Sequence, residues 1–133
     1  METVLCFGTF DGLHPGHEDY FRQARALGDR LVVIVARDET VVDVKGRSPR
    51  QGEEVRLEAV RRYPLVSEAR LGLPGDKYQI IEEINPDLIL LGYDQQAFTD
   101  DLEDVLRARG LSCKVMRAAP FKPEVYKSSL LNV

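Results

Sequence analysis

The sequence predicts an α/β protein: one domain, residues 1–133, built as a three-layer α/β/α sandwich around a five-stranded parallel sheet. Three observations carry this. Short apolar runs alternate with helix-like segments along the whole chain. Two of the runs, Leu31-Val32-Val33-Ile34-Val35 and Leu88-Ile89-Leu90-Leu91, are continuous rather than alternating, as in strands buried on both faces. A chain of 133 residues, 44% hydrophobic and 30% charged, is ordinary for a soluble domain with a real core.

The elements follow in order. Thr3 to Phe7 reads as the first strand. Glu18 to Leu27 reads as a helix, because Phe21, Ala24 and Leu27 share one face and Gly28 supplies a stop. Leu31 to Ala36 is the second strand, and the stretch carrying Lys45, Arg47 and Arg50 reads as a loop. Glu53 to Tyr63 is helix-like and ended by Pro64, and Ala69 to Leu71 is a short third strand. Lys77 to Ile84 reads as a helix closed by Asn85-Pro86, ahead of the fourth strand, Leu88 to Leu91. Phe98, Leu102, Val105 and Leu106 have helical spacing with Gly110 as cap, and Cys113 to Met116 is the last strand. Ala118 to Val133 lacks periodicity and reads as a tail folding back over the sheet edge or the site. Such alternation implies right-handed crossovers between parallel strands.

Composition narrows the function. Lys plus Arg total 18 against 22 Asp plus Glu, and a net charge of −4 argues against general nucleic-acid binding. The basic cluster Lys45, Arg47 and Arg50 could still serve a small anion. The start of the chain does not read as a signal peptide, and no window approaches the roughly 18 apolar residues of a membrane span. Two cysteines, Cys6 and Cys113, each set in an apolar run, read as small buried hydrophobes. A reduced, cytoplasmic setting is the expectation.

In open parallel sheets the ligand crevice lies at the carboxyl ends of the strands, near the point where strand order reverses. The most distinctive sequences fall at such ends: Gly8 to His17 after the first strand, Arg37-Asp38 after the second, and Gly92-Tyr93-Asp94-Gln95 after the fourth. The first holds the protein's only two histidines, His14 and His17, at a strand-to-helix junction. There, unpaired N–H groups and the helix macrodipole favour a phosphate. Residues three apart at a helix start share a face, so both imidazoles can reach one ligand and stabilise charge building on it. Pro15 suits a first helical turn, and Gly16 permits close approach to the backbone. Gly8 permits a tight turn, and the N–H groups of Thr9 and Phe10 could hold phosphate oxygens. Asp11 could cap the helix, orient a histidine or help hold a metal–nucleotide complex. A protein-held zinc site would need further ligands, so no metal site is predicted. The motif is neither a Walker A loop nor a GxGxxG fingerprint, which disfavours kinase and dehydrogenase readings.

Gly-Thr-Phe-Asp-x-x-His-x-Gly-His resembles the signature of the cytidylyltransferase-like nucleotidyltransferases. Leu27-Gly28-Asp29, Val35-Ala36-Arg37-Asp38, Lys45-Gly46, Pro49, Arg56 and Leu91-Gly92-Tyr93-Asp94-Gln95 extend the likeness. Within the superfamily the chain looks most like archaeal-type FAD synthases, with glycerol-3-phosphate cytidylyltransferases next. The resemblance implies a Rossmann-like sandwich, a homodimer, and transfer of a nucleoside monophosphate from ATP or CTP, with Mg²⁺ or another divalent ion carried on the triphosphate. The acceptor would be a phosphomonoester, FMN first and glycerol 3-phosphate second. It implies catalytic roles for His14, His17 and Lys45, with Gly8, Thr9 and Phe10 lining the phosphate pocket. Gly92, Tyr93 and Asp94 would approach base and ribose, and Ser128 and Ser129 the β- and γ-phosphates. Arg56 would sit near the acceptor phosphate, unless Glu53 or a neighbouring carboxylate simply pairs with it. The chain carries Tyr126-Lys127-Ser128-Ser129 where cytidylyltransferases have Arg-Thr-x-Gly-x-Ser-Thr. That departure keeps a non-catalytic nucleotide-binding module as a further alternative.

Overall fold

The computed structural model describes residues 2–73, 78–92 and 102–120. Within them lie five strands, β1 (Thr3–Gly8), β2 (Arg30–Val35), β3 (Glu68–Leu71), β4 (Leu88–Leu91) and β5 (Lys114–Arg117). They form one sheet in the order β3-β2-β1-β4-β5, and every pairing is parallel. The chain thus runs outward from β1 to β3, then returns to place β4 on the other side of β1. The order reverses between β1 and β4, which puts the ligand crevice at their carboxyl ends.

Five helices flank the sheet: α1 (Pro15–Leu27), α2 (Asp38–Lys45), α3 (Glu53–Arg61), α4 (Gln79–Ile84) and α5 (Leu102–Ala108). The continuous apolar strands divide their side chains between two cores, as the pleat requires. Val4, Cys6, Leu31, Val33, Val35, Leu88 and Leu90 pack with Phe21 and Ala24 of α1 and Leu57 and Val60 of α3. Leu5, Val32, Ile34, Ile89 and Leu91 pack on the opposite face with Ile80 and Ile81 of α4 and Leu102 and Leu106 of α5. This is the three-layer arrangement expected from the alternation of elements.

Helix ends follow local chemistry. Asn85 takes a left-handed conformation (φ 49°) ahead of Pro86 and stops α4. Gly110 (φ 80°) ends the turn after α5, where the Leu111 N–H reaches back to the Leu106 carbonyl at 2.9 Å. Gly28 ends α1 for a different reason. Its backbone is extended, and a Cβ there would meet the Val4 side chain at 2.7 Å and the Glu2 carbonyl oxygen at 2.8 Å.

The structure adds one element and adjusts others. Asp38–Lys45 is α2, a helix that was not expected, closed by Gly46 at φ 75°, and the loop read around Lys45, Arg47 and Arg50 begins after it. Thr40, Val41, Val42 and Val44 are poor helix formers, and only Val41 is buried, so the segment carries almost no helical signature. Cys113 lies one residue before β5 and is half-buried, whereas Cys6 is fully buried in β1 as expected. α4 is Gln79–Ile84, and of the residues read as the fourth helix, Leu102–Ala108 lie in α5, while Lys77 and Phe98 fall outside the described residues. After β5, Ala118 is buried, its N–H bonds the Leu91 carbonyl, and Ala119 exchanges two hydrogen bonds with the Gln23 side chain of α1; the rest of the segment read as a tail, 121–133, lies outside the described residues. Among the described residues, no helix is long and apolar enough to cross a membrane.

Candidate active site

The crevice is built on the turn leaving β1. Gly8 is there because of Phe10: a Cβ on Gly8 would sit 2.5 Å from the Phe10 ring. Phe10 itself adopts a left-handed backbone (φ 55°), which folds its ring back over the strand end. The ring is buried, edge-on to His17 at 5.2 Å and tilted against Phe21 at 5.3 Å. Phe10 therefore offers a ligand no side-chain surface. Its N–H and that of Thr9 donate no hydrogen bond within the described residues, so the turn holds two backbone donors not used inside the fold.

His14 is the N-cap of α1, with Pro15 in the first turn. The Gly16 N–H donates to His14 Nδ1 at 3.1 Å, and the His14 N–H donates to His17 Nδ1 at 3.4 Å. The two imidazoles reproduce the reciprocal cap that Ser and Glu usually make. Because both Nδ1 atoms accept, each neutral ring carries its hydrogen on Nε2. The rings stack at 3.9 Å with 24° between planes, which holds them as one unit at the positive end of the helix.

Burial pushes the His17 pKa down to about 3, and the positive charges of His14 and Lys45 push the same way, outweighing a hydrogen bond at the Gly12 backbone. His17 is consequently neutral near neutral pH, a hydrogen-bond donor without a charge. The positive charge comes from Lys45, the last residue of α2, whose field reaches His17. Lys45, Arg47, Ser48, Pro49 and Arg50 line one wall of a small cleft of about 60 Å³, and Thr9 and Asp11 line the other. The basic cluster and the β1 turn are thus brought together, although they are far apart in sequence.

Asp11 does not cap α1, a task His14 performs. Its two carboxylate oxygens accept the Arg50 and Gln51 N–H groups at 2.7 and 2.8 Å. Partial burial raises its pKa, but those two hydrogen bonds and the charges of Arg50 and Arg56 prevail and hold it below the usual carboxylate range. Arg56 departs further from expectation. It is fully buried in α3 and its guanidinium is committed: Nε to the Gln51 carbonyl at 2.9 Å, Nη1 to the Thr9 and Ala36 carbonyls at 2.8 and 2.7 Å, Nη2 to Asp38 at 2.8 Å. A group so placed cannot also receive an acceptor phosphate. Its carboxylate partner is Asp38, while Glu53 accepts the Asp38 N–H at 2.8 Å and pairs with Arg37 at 3.6 Å. Arg37 Nε in turn bonds the Gly72 carbonyl.

Gly92 ends β4 beside this turn, and its carbonyl accepts from Arg117 at 2.8 Å. Tyr93, Asp94, Ser128 and Ser129 lie outside the described residues. Sequence reasoning did not single out Gln51; it placed Arg37-Asp38 at the rim and named Glu53 or a neighbouring carboxylate as a possible partner of Arg56, and the structure gives that place to Asp38.

A strand-end turn with two unused backbone donors at the switch point, two imidazoles capping a helix and a nearby lysine are the kinds of group that chemistry on a phosphate ester requires. A profile of the cytidylyltransferase-like family matches residues 5–131, and the chain belongs to that family of nucleotidyltransferases. Among its relatives, the FAD synthase of Methanothermobacter thermautotrophicus is 46% identical over 125 residues, covering 92% of this chain and 82% of that protein. The FAD synthase of Halorhabdus utahensis is 42% identical over 132 residues, covering 99% and 91%. A crystal structure of a lipopolysaccharide core biosynthesis protein from Thermoplasma volcanium superposes with a TM-score of 0.86 at 37% identity, covering 92% of this chain and 99% of that one.

Proposed function

We propose that this nucleotidyltransferase is an FMN adenylyltransferase. An oxygen of the FMN phosphate attacks the α-phosphorus of ATP, the bond to the β-phosphate oxygen breaks, and FAD and pyrophosphate form. The observation that carries the reaction type is the stacked, mutually capped pair His14 and His17 at the start of α1. The choice of ATP and FMN is supported by the FAD synthases to which the chain is similar.

No side chain needs to act as nucleophile, because the acceptor brings its own phosphate oxygen. Catalysis is then positioning and charge stabilisation. In this reading the Thr9 and Phe10 N–H groups and the two imidazoles hold the reacting phosphates, with Gly8 and Gly16 admitting them close to the backbone. Lys45 balances the negative charge that spreads over the phosphorus oxygens in the transition state. Gly92, Tyr93 and Asp94 are assigned to base and ribose, and Ser128 and Ser129 to the β- and γ-phosphates, on the family resemblance. Among the described residues no group of three His, Cys, Asp or Glu side chains could hold a metal ion. On the family resemblance, Mg²⁺ or another divalent ion enters this reading as part of the metal–triphosphate substrate. The same reading takes the protein as a cytoplasmic homodimer, which sedimentation tests as to assembly.

Crossing ATP or CTP with FMN or glycerol 3-phosphate, and following pyrophosphate release and product by chromatography, tests the proposal. FAD from ATP and FMN is the expected result. A CDP-alcohol without FAD would transfer the reading to cytidylyl transfer. Triphosphate binding without pyrophosphate release under any acceptor would leave a nucleotide-binding module.

A further inference from the structure

The segment from Asp38 to Gln51 leaves the sheet at the end of β2, carries Lys45, Arg47 and Arg50 past the crevice, and returns to α3. Both of its ends are held by one buried side chain. Arg56 bonds the Asp38 carboxylate at the outgoing end and the Gln51 carbonyl at the returning end. With Nη1 it also bonds the Thr9 carbonyl of the phosphate-facing turn and the Ala36 carbonyl after β2. Gln51 is gripped from its other side as well, since its N–H donates to Asp11 on the same turn. α2 itself is a rigid spacer of two turns, roughly 10 Å from Asp38 to Lys45 at about 1.5 Å per residue. Fixing Asp38 and Gln51 against Thr9 and Asp11 therefore fixes where the Lys45 charge stands relative to His14 and His17.

We propose that Arg56 is a positioning residue for nucleotidyl transfer, acting with Asp11 as a two-sided latch that locks the basic segment 38–51 onto the β1 turn. The proposal rests on the nucleotidyl-transfer reading of the site. A guanidinium is suited to the role: it is planar, always charged, and donates to several acceptors in fixed directions. A lysine ammonium in its place keeps the charge but cannot span Thr9, Ala36, Asp38 and Gln51 together. The latch engages the Asp38 carboxylate and backbone groups of the segment and the turn, and it leaves the Thr9 and Phe10 N–H groups unused. Loss of the latch should thus misplace Lys45 in the transition state more than it weakens the bound ground state.

Arg56→Lys and Asp11→Asn, alone and combined, test this in steady-state kinetics with ATP and the acceptor, beside thermal melts and hydrogen exchange. The expected result is a kcat loss of about 100-fold for Arg56→Lys, the scale of an ångström-level misplacement, with KM for ATP changed less than about 3-fold. Asp11→Asn should lose kcat in the same sense, and the double variant should lose less than the product of the two, because both act through Gln51. The Arg50 and Gln51 amides should exchange faster in each variant. A folded Arg56→Lys protein with a lower Tm and unchanged kcat overturns the proposal in favour of a purely structural arginine. An acceptor KM raised about 100-fold at unchanged kcat overturns it in favour of acceptor binding. If Arg56→Lys does not fold, Asp11→Asn decides alone, and normal kcat there refutes the latch. Failure of the underlying reading shows separately, as a wild-type protein that releases no pyrophosphate while the exchange test of the latch still reads out.

Discussion

Replacing His17 by glutamine should remove a distinct part of the protein's acid sensitivity above the carboxylate range. In the folded state the His17 pKa stands at about 3, pushed there by burial and by the charges of His14 and Lys45, against 6.5 ordinarily. The folded pKa is the lower one, so between these values the unfolded chain binds a proton that the folded protein refuses. The stabilising contribution is fully present above pH 6.5 and is lost as pH falls, by about 1.4 kcal/mol per pH unit inside the window. Between about pH 7.5 and about pH 5 the integrated loss is about 2 kcal/mol. For a domain whose whole stability is about 5–15 kcal/mol, that is a large fraction.

Glutamine is the informative replacement. It is the residue a reciprocal cap normally carries at this position, so it can still accept the His14 N–H while having no proton to gain. Asp11 and Glu68, whose pKa values are lowered, also lose stability in acid, but only at lower pH and equally in both proteins. Urea unfolding of wild type and His17→Gln at the two pH values isolates the histidine term. Parallel pH dependence of the two proteins would refute a neutral, desolvated His17.

Further outcomes follow from the same geometry. His17→Ala should lower turnover by about 10²–10³-fold, the effect of removing one donor aimed at developing charge, with the circular-dichroism spectrum retained. Gly8→Ala should destabilise by about 1–3 kcal/mol in chemical denaturation, because the new Cβ meets the Phe10 ring at 2.5 Å and the ring must leave its place against His17. Phe21→Ala, emptying a fully buried site between Phe10 and Tyr63, should cost about 3–5 kcal/mol in the same assay.

Much of the architecture was legible because the central strands, β2 and β4 above all, are almost wholly apolar. Val32 and Ile34 serve one core while Leu31, Val33 and Val35 serve the other, and only a strand covered on both faces reads that way. The histidine turn was equally legible, since its chemistry is local: cap, proline and glycine lie within a few residues of each other. α2 was not, because it is held by its ends rather than by an apolar face. Glu53 caps its first turn from another helix and Arg56 anchors Asp38, while Val42 and Val44 stay exposed. Propensity reports intrinsic preference, and here tertiary hydrogen bonds overrule it.

The same distinction explains Arg56. A sequence shows that an arginine sits one turn into a helix, and base rates place such a residue at the surface, facing solvent or a phosphate. Its actual surroundings are three carbonyls and a carboxylate drawn from Thr9, Ala36, Gln51 and Asp38. Those carbonyls belong to backbone that leaves regular structure at the rim, where the ladder bonds of β1 and β2 have ended and buried oxygens need donors from elsewhere. A buried guanidinium supplies them at the moment the chain must stop being a sheet and start being a site. The opening of the crevice and the burial of Arg56 are in this sense one requirement. Turns irregular enough to leave the Thr9 and Phe10 N–H groups unused within the fold have carbonyls that something must hold from beneath.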